Sequence, residues 1–124
     1  MLLGVIVEVP LDGGLDVLAA YSEGGVRYLN RSGKLAVFEG IEALQPLVRD
    51  LLTASEAVVA RIGPWDKPRR PPPTSGSVRL TFLVSDGLYF GEGPISVMQR
   101  DPMAGPVIER AAELLSSVVA VSIQ

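Results

Sequence analysis

A chain of 124 residues with a formal net charge of -3 has the length of one domain, and we expect residues 1–124 to form a single domain. The acidic balance predicts that neither nucleic acid nor a membrane is the partner, because both require a clustered positive field. The sequence contains no cysteine and no histidine, which excludes disulfides, thiolate chemistry and histidine-based catalysis or metal binding. We therefore predict no catalytic residue, no metal site and no cofactor.

The chain is also rich in apolar residues. They make up 48% of the sequence, and the mean hydropathy is +0.33. This is more apolar surface than a small monomer easily hides, so we predict a homodimer; a dense core is the alternative. The N-terminal apolar run is interrupted by Glu8 and Pro10, and no stretch reaches the roughly 20 residues that span a bilayer, which predicts a cytoplasmic protein.

The first 40 residues predict four short strands joined by tight, glycine-containing turns. In the first of them, Leu3, Val5 and Val7 alternate onto one face, while Glu8 is expected to be exposed on the other. The turns fall at 23–25 and 30–34, where glycine supplies the positive φ that other residues resist. The predicted strands are 3–9, 16–22, 26–30 and 35–39.

The remaining residues predict two helices that flank a hairpin. Apolar residues recur every three or four positions from 44 to 62, which indicates an amphipathic helix that begins close to Pro46 and ends at Gly63. Residues 78–85 and 88–92 form a predicted hairpin around Asp86 and Gly87. A second helical stripe covers 107–119, with Asp101 or Gly105 as its cap, and residues 93–102 are ambiguous.

The element order is therefore ββββ-α-ββ-α. Because the strands are joined by hairpins and not by crossover helices, the sequence predicts an α+β fold. Its antiparallel sheet would have about six strands, with two helices packed on one face.

A proline-rich basic loop, GPWDKPRRPPPTSG at 63–76, separates the first helix from the hairpin. Pro68 and Pro71 form one P-x-x-P spacing, and three consecutive prolines favour a polyproline helix, which aromatic grooves of partner proteins recognise. The alternative is a rigid connection in which prolines only restrict the unfolded chain. The candidate partner-binding residues are Trp65, Lys67, Pro68, Arg69, Arg70 and Pro71.

A second candidate site lies at the hairpin of the third and fourth strands. Arginine can clamp a phosphate or carboxylate, and tyrosine can stack on a base, so this end of the sheet could hold a small anionic ligand. The alternative is a solvated hairpin with the tyrosine buried on the opposite face. The candidate ligand-binding residues are Arg27, Tyr28, Arg31 and Lys34.

These features favour a non-enzymatic binding or adaptor domain, dimeric through the sheet or a helix face. The first alternative is a sensor of a small molecule or anion at the site just described. The second is a hydrolase-type enzyme, which would need carboxylates from strand or helix ends to converge in space. The carboxylates available for it are Glu8, Glu39, Asp86, Glu92 and Asp101.

Overall fold

A computed structural model describes residues 1–11, 14–64 and 73–122, and it has the predicted α+β architecture. Six strands form one antiparallel sheet, and the two long helices pack against each other. The strands are β1 (Leu2–Leu11), β2 (Gly14–Tyr21), β3 (Val26–Leu29), β4 (Leu35–Phe38), β5 (Ser77–Val84) and β6 (Gly87–Pro94). The helices are α1 (Gln45–Val59), α2 (Ile95–Met98) and α3 (Ala104–Ser122), with a 3-10 helix at Glu42–Leu44 before α1.

The strands lie side by side in the order β4-β3-β2-β1-β5-β6. The first four form a meander, in which each strand pairs with the next through a short turn. The chain then passes through α1 and returns as β5 on the free side of β1, where Val5 pairs with Phe82 and Val7 with Leu80. β1 therefore lies inside the sheet, and in the described part of the chain the edges are β4 and β6.

The core lies between one face of the sheet and the two long helices. Val5, Leu80 and Phe82 of the sheet are almost wholly buried, as are Leu51 of α1 and Leu114 of α3. Their spacing follows the periods of two and 3.6 residues that bring apolar side chains to one face of a strand or helix. The burial of each such side chain stabilises the folded state by roughly 1.5–3 kcal/mol. This face of the sheet is called the helix-covered face below.

The helix boundaries differ from the predictions by a few residues. α1 ends at Val59 and not at Gly63, while α3 begins at Ala104, before the first apolar residue of its stripe. Asp101 is the cap of α3, because its Oδ1 accepts hydrogen bonds from the N–H groups of Met103 and Ala104 at 2.8 and 2.9 Å. The ambiguous segment contains the short helix α2. Among the described residues, no helix is long and apolar enough to cross a membrane.

Two predictions for β1 are wrong. Leu3 was expected among the buried residues, but it is exposed, because the pairing of β1 with β5 shifts register between Leu2 and Gly4. Glu8 was expected to be exposed, but it is only 7% exposed. It lies directly opposite Arg79 of β5, and an opposite charge on the neighbouring strand makes the burial of a carboxylate tolerable.

Candidate functional site

A strip of exposed apolar side chains runs along β3 and β4, on the face of the sheet that points away from the helices. Its members are Leu29, Leu35 and Val37, which are 37%, 62% and 51% exposed. Leu29 pairs directly with Leu35, so the side chains lie together on one face. Single exposed apolar residues are common, but a contiguous group on adjacent strands is typical of an interaction surface. We refer to these three residues as the β3–β4 strip.

Charged side chains adjoin the strip. Arg27 pairs with Val37 across β3 and β4, and its guanidinium carbon lies 5.8 Å from the centre of the Tyr21 ring, within the range of a cation–π interaction. Glu23 and Glu39 line the same shallow depression, which has a volume of about 230 Å³. Among the described residues, Arg27, Glu23 and Glu39 thus place charges of both signs beside the strip.

The same face of the sheet carries a row of charges at β1, β5 and β6, called the buried row below because Glu8 and Arg79 are buried, while the Glu92 side chain is 22% exposed. Glu8 pairs with Arg79, and Arg79 pairs with Glu92. Arg79 is 2% exposed, and its Nε donates a hydrogen bond to Oε1 of Glu92 at 2.6 Å. This carboxylate–arginine–carboxylate row compensates charge across three strands.

The other candidate carboxylates lie in separate environments. Asp86 accepts a hydrogen bond from the hydroxyl of Tyr89 at 3.1 Å, Asp101 caps α3, and Glu39 is exposed after β4. The N–H groups of Ala104 and Met103 lower the pKa of Asp101, because they stabilise its charged form. Over the described ranges, acidic side chains do not gather in a group of three that could hold a metal ion.

A cavity lies on the opposite, helix-covered face, between the sheet and helices α2 and α3. Its volume is about 240 Å³, and most of its wall is apolar. The strands supply one wall and α3 the other, and Ala111 and Ala112 of α3 face it with small side chains. The described residues that line it are Val7, Val9, Asp16, Leu18, Tyr28, Val78, Ile95, Gln99, Ile108, Ala111, Ala112 and Leu115.

The polar end of this cavity is formed by Asp16 and Tyr28. Tyr28 pairs with Leu18, so Asp16 lies two residues further along β2 on the same face. The Tyr28 hydroxyl donates a hydrogen bond to Oδ2 of Asp16 at 3.1 Å, and the backbone N–H of Arg31 donates to Oδ1 at 2.8 Å. Burial, assisted by the hydrogen bond to Asp16, raises the pKa of Tyr28, which therefore stays protonated at neutral pH.

The predicted ligand-binding residues are divided between the two faces. Arg27 lies beside the β3–β4 strip, whereas Tyr28 lines the cavity, because consecutive strand residues point to opposite faces. Arg31 and Lys34 lie exposed in the β3–β4 turn, which Asn30 closes by accepting hydrogen bonds from the N–H groups of Ser32 and Lys34. The shared anion site of these four residues stays a prediction, and the cavity around Tyr28 is apolar.

The predicted partner-binding residues of the proline-rich loop, Trp65, Lys67, Pro68, Arg69, Arg70 and Pro71, lie outside the described residues. Partner binding through this loop therefore stays a prediction.

The sequence matches no protein-family model and no curated protein, so the chemistry of these surfaces has to be derived from the residues themselves. Sequence reasoning identified Tyr28, although for a different ligand, and it did not single out Asp16, Gln99 or the alanines of α3. The small residue Ala111 in the apolar stripe, followed by the exposed Ala112, was the available signal for a cavity.

Proposed function

We propose that this protein is a non-catalytic binding domain that works as a homodimer, with the β3–β4 strip at the interface. The observation that carries the proposal is the exposure of Leu29, Leu35 and Val37 together on two paired strands. Three of the five candidate carboxylates, Glu92, Asp86 and Asp101, are engaged in an ion pair, a turn and a helix cap, which favours a binding role over a hydrolytic one.

A second copy is the occupant that best fits the strip. Two sheets stack face to face at about 10 Å, so a two-fold axis parallel to the sheet would bring the strip of one copy onto the same strip of the other. Such an interface is self-complementary, because each apolar side chain meets an equivalent one.

The charges around the strip favour the same arrangement. A stable interface buries about 800 Å² on each partner, which is more than three side chains provide. The contact would therefore extend onto Tyr21 and Arg27, and the two-fold axis can place the Arg27 cation of one copy against Glu23 or Glu39 of the other. Opposite charges at the border add specificity to the apolar contact.

The test is sedimentation equilibrium of the wild-type protein and two matched variants at tens of micromolar. Val37→Asp places a charge in the strip and is expected to give monomers, because two carboxylates would be buried against apolar surface. Val97→Asp makes the same change at a 62% exposed position of α2, away from the strip, and is expected to leave the dimer intact.

Circular dichroism of both variants checks that each one is folded before its mass is interpreted. A wild-type protein that is strictly monomeric at these concentrations contradicts the proposal. A Val37→Asp variant that dimerises as well as Val97→Asp contradicts the choice of interface.

A further inference from the structure

The cavity between the sheet and α3 is large enough for an organic ligand. An engineered apolar cavity of about 150 Å³ in another protein binds benzene, so a volume of about 240 Å³ here accommodates one substituted aromatic ring. Ligand pockets are mainly apolar and contain a few converging polar groups, which is the composition of this cavity.

The wall of α3 explains why this space is open. Ile108 and Leu115 of α3 also line the cavity, and Ala111 and Ala112 between them have side chains too short to fill it. The opposite wall is formed by Val7, Leu18 and Val78 of three adjacent strands. The cavity is open to solvent on one side, where its lining residues Gln99 and Ala112 are exposed, so a ligand can enter it from solvent.

The polar end of the cavity offers acceptors. The hydroxyl proton of Tyr28 is directed at Asp16, and Asp16 also accepts the backbone N–H of Arg31. The Tyr28 hydroxyl and the Asp16 carboxylate can therefore still accept hydrogen bonds from a ligand, but neither has a free proton to donate. The negative charge of Asp16 disfavours a carboxylate or phosphate at this end. Gln99 also lines the cavity, and its amide can either donate or accept a hydrogen bond.

We propose that this cavity is a binding site for a small apolar molecule that carries one hydrogen-bond donor, either a hydroxyl or an amino group, at the end facing Tyr28 and Asp16. The apolar body would lie between the strands and α3, and its donor would bond to the Tyr28 hydroxyl or the Asp16 carboxylate. This site is independent of the dimer interface, because the two lie on opposite faces of the sheet.

The first experiment uses isothermal titration calorimetry to compare four probes that share a propylphenyl body for their affinity to the wild-type protein. The probes are 4-propylphenol, 4-propylbenzylamine, propylbenzene and 4-propylbenzoate. The phenol, the amine or both are expected to bind about threefold to tenfold more tightly than propylbenzene, the gain of one hydrogen bond, and 4-propylbenzoate more weakly still. A preference between phenol and amine decides which donor the site takes.

Two variants place the binding in this cavity. Ala112→Phe blocks the cavity wall from an exposed position of α3 and is expected to abolish binding of every probe, whereas Ala120→Phe, exposed further along α3 and outside the cavity, keeps it. Tyr28→Phe removes one of the two acceptors. It is expected to weaken the affinity for the preferred donor probe markedly and to leave the affinity for propylbenzene unchanged.

Three results would overturn the proposal. The first is that none of the four probes binds to the wild-type protein. The second is that 4-propylbenzoate binds most tightly. The third is that the Ala112→Phe and Ala120→Phe variants bind the probes with equal affinity. Methyl chemical shifts of Leu18, Val78 and Leu115 in the wild-type protein report whether a bound probe occupies the cavity, so the result does not depend on the folding of any variant.

Discussion

Arg27 and Tyr28 are consecutive residues of β3 whose side chains point to opposite faces of the sheet. The Arg27 guanidinium lies near the ring of Tyr21 beside the β3–β4 strip, while the Tyr28 hydroxyl bonds to Asp16 inside the cavity. The thickness of one sheet therefore separates the proposed dimer interface from the proposed ligand site. A substitution in either place is expected to leave the other function intact, so the two proposals can fail separately.

The buried row of charges predicts a large stability difference between two arginines. Replacing the 2% exposed Arg79 by methionine leaves Glu8 and Glu92 without the cation between them and is expected to lower the free energy of unfolding by about 3 kcal/mol. The control is Arg110→Met, since Arg110 pairs with Glu113 at 2.8 Å but is well exposed, and it should cost less than about 1 kcal/mol. Urea denaturation measures both values, and equal losses would contradict a structural role for the buried row.

Gly4 is predicted to be sensitive to the addition of one methyl group. A Cβ at this position would lie 2.8 Å from the backbone oxygen of Ala20 and 3.0 Å from the Tyr21 ring, so β1 and β2 would have to separate. Gly4→Ala is expected to cost roughly 1–3 kcal/mol of unfolding free energy.

Gly63→Ala is the matched change, because a Cβ added at Gly63 meets no atom of the described residues within 4 Å. It is expected to change the unfolding free energy by no more than about 1 kcal/mol, in the stabilising direction if Gly63 keeps its backbone conformation. Thermal and urea unfolding of the two variants decide the matter. A Gly4→Ala protein as stable as Gly63→Ala would show that β1 and β2 are not so closely packed.

The cap of α3 predicts a pH-dependent contribution to stability. Two backbone N–H groups lower the pKa of Asp101 in the folded protein below its ordinary value of 3.8. Its carboxylate therefore stabilises the fold fully at any pH above the pKa that Asp101 has in the unfolded chain. That contribution is lost as the pH falls through the folded pKa. Asp101→Asn keeps a capping side chain but has no charge to lose, and we expect a lower melting temperature than wild type at pH 7.

The difference between wild type and Asp101→Asn should shrink as the pH is lowered past about 4 and vanish once Asp101 is protonated. Glu56→Gln, which removes one charge from an exposed position within α1, controls for the change in net charge. Melting temperatures between pH 2 and pH 7 provide the measurement. A constant difference across this range would contradict the role of the charged cap.

Local patterns in the sequence were sufficient for the element order and for most of the strand faces. In β5 the alternation of Val78, Leu80 and Phe82 correctly placed these residues in the core, because the strand period depends only on backbone geometry. The same alternation did not reveal that Arg79 and Thr81 on the opposite face are also buried. Burial depends on what lies over a residue, and for an inner strand this is decided by distant parts of the chain.

The sequence by itself determined the α+β class, the run of antiparallel hairpins and the absence of thiol and imidazole chemistry, since these follow from backbone periodicity and residue content. Only the tertiary structure decided which side chains meet. The sheet order brings Asp16 of β2 and Tyr28 of β3 opposite Ala111 of α3, far apart in the sequence, and it leaves Leu35 and Val37 exposed. A cavity and an exposed strip are properties of packed surfaces, and packing depends on the positions of all the elements together.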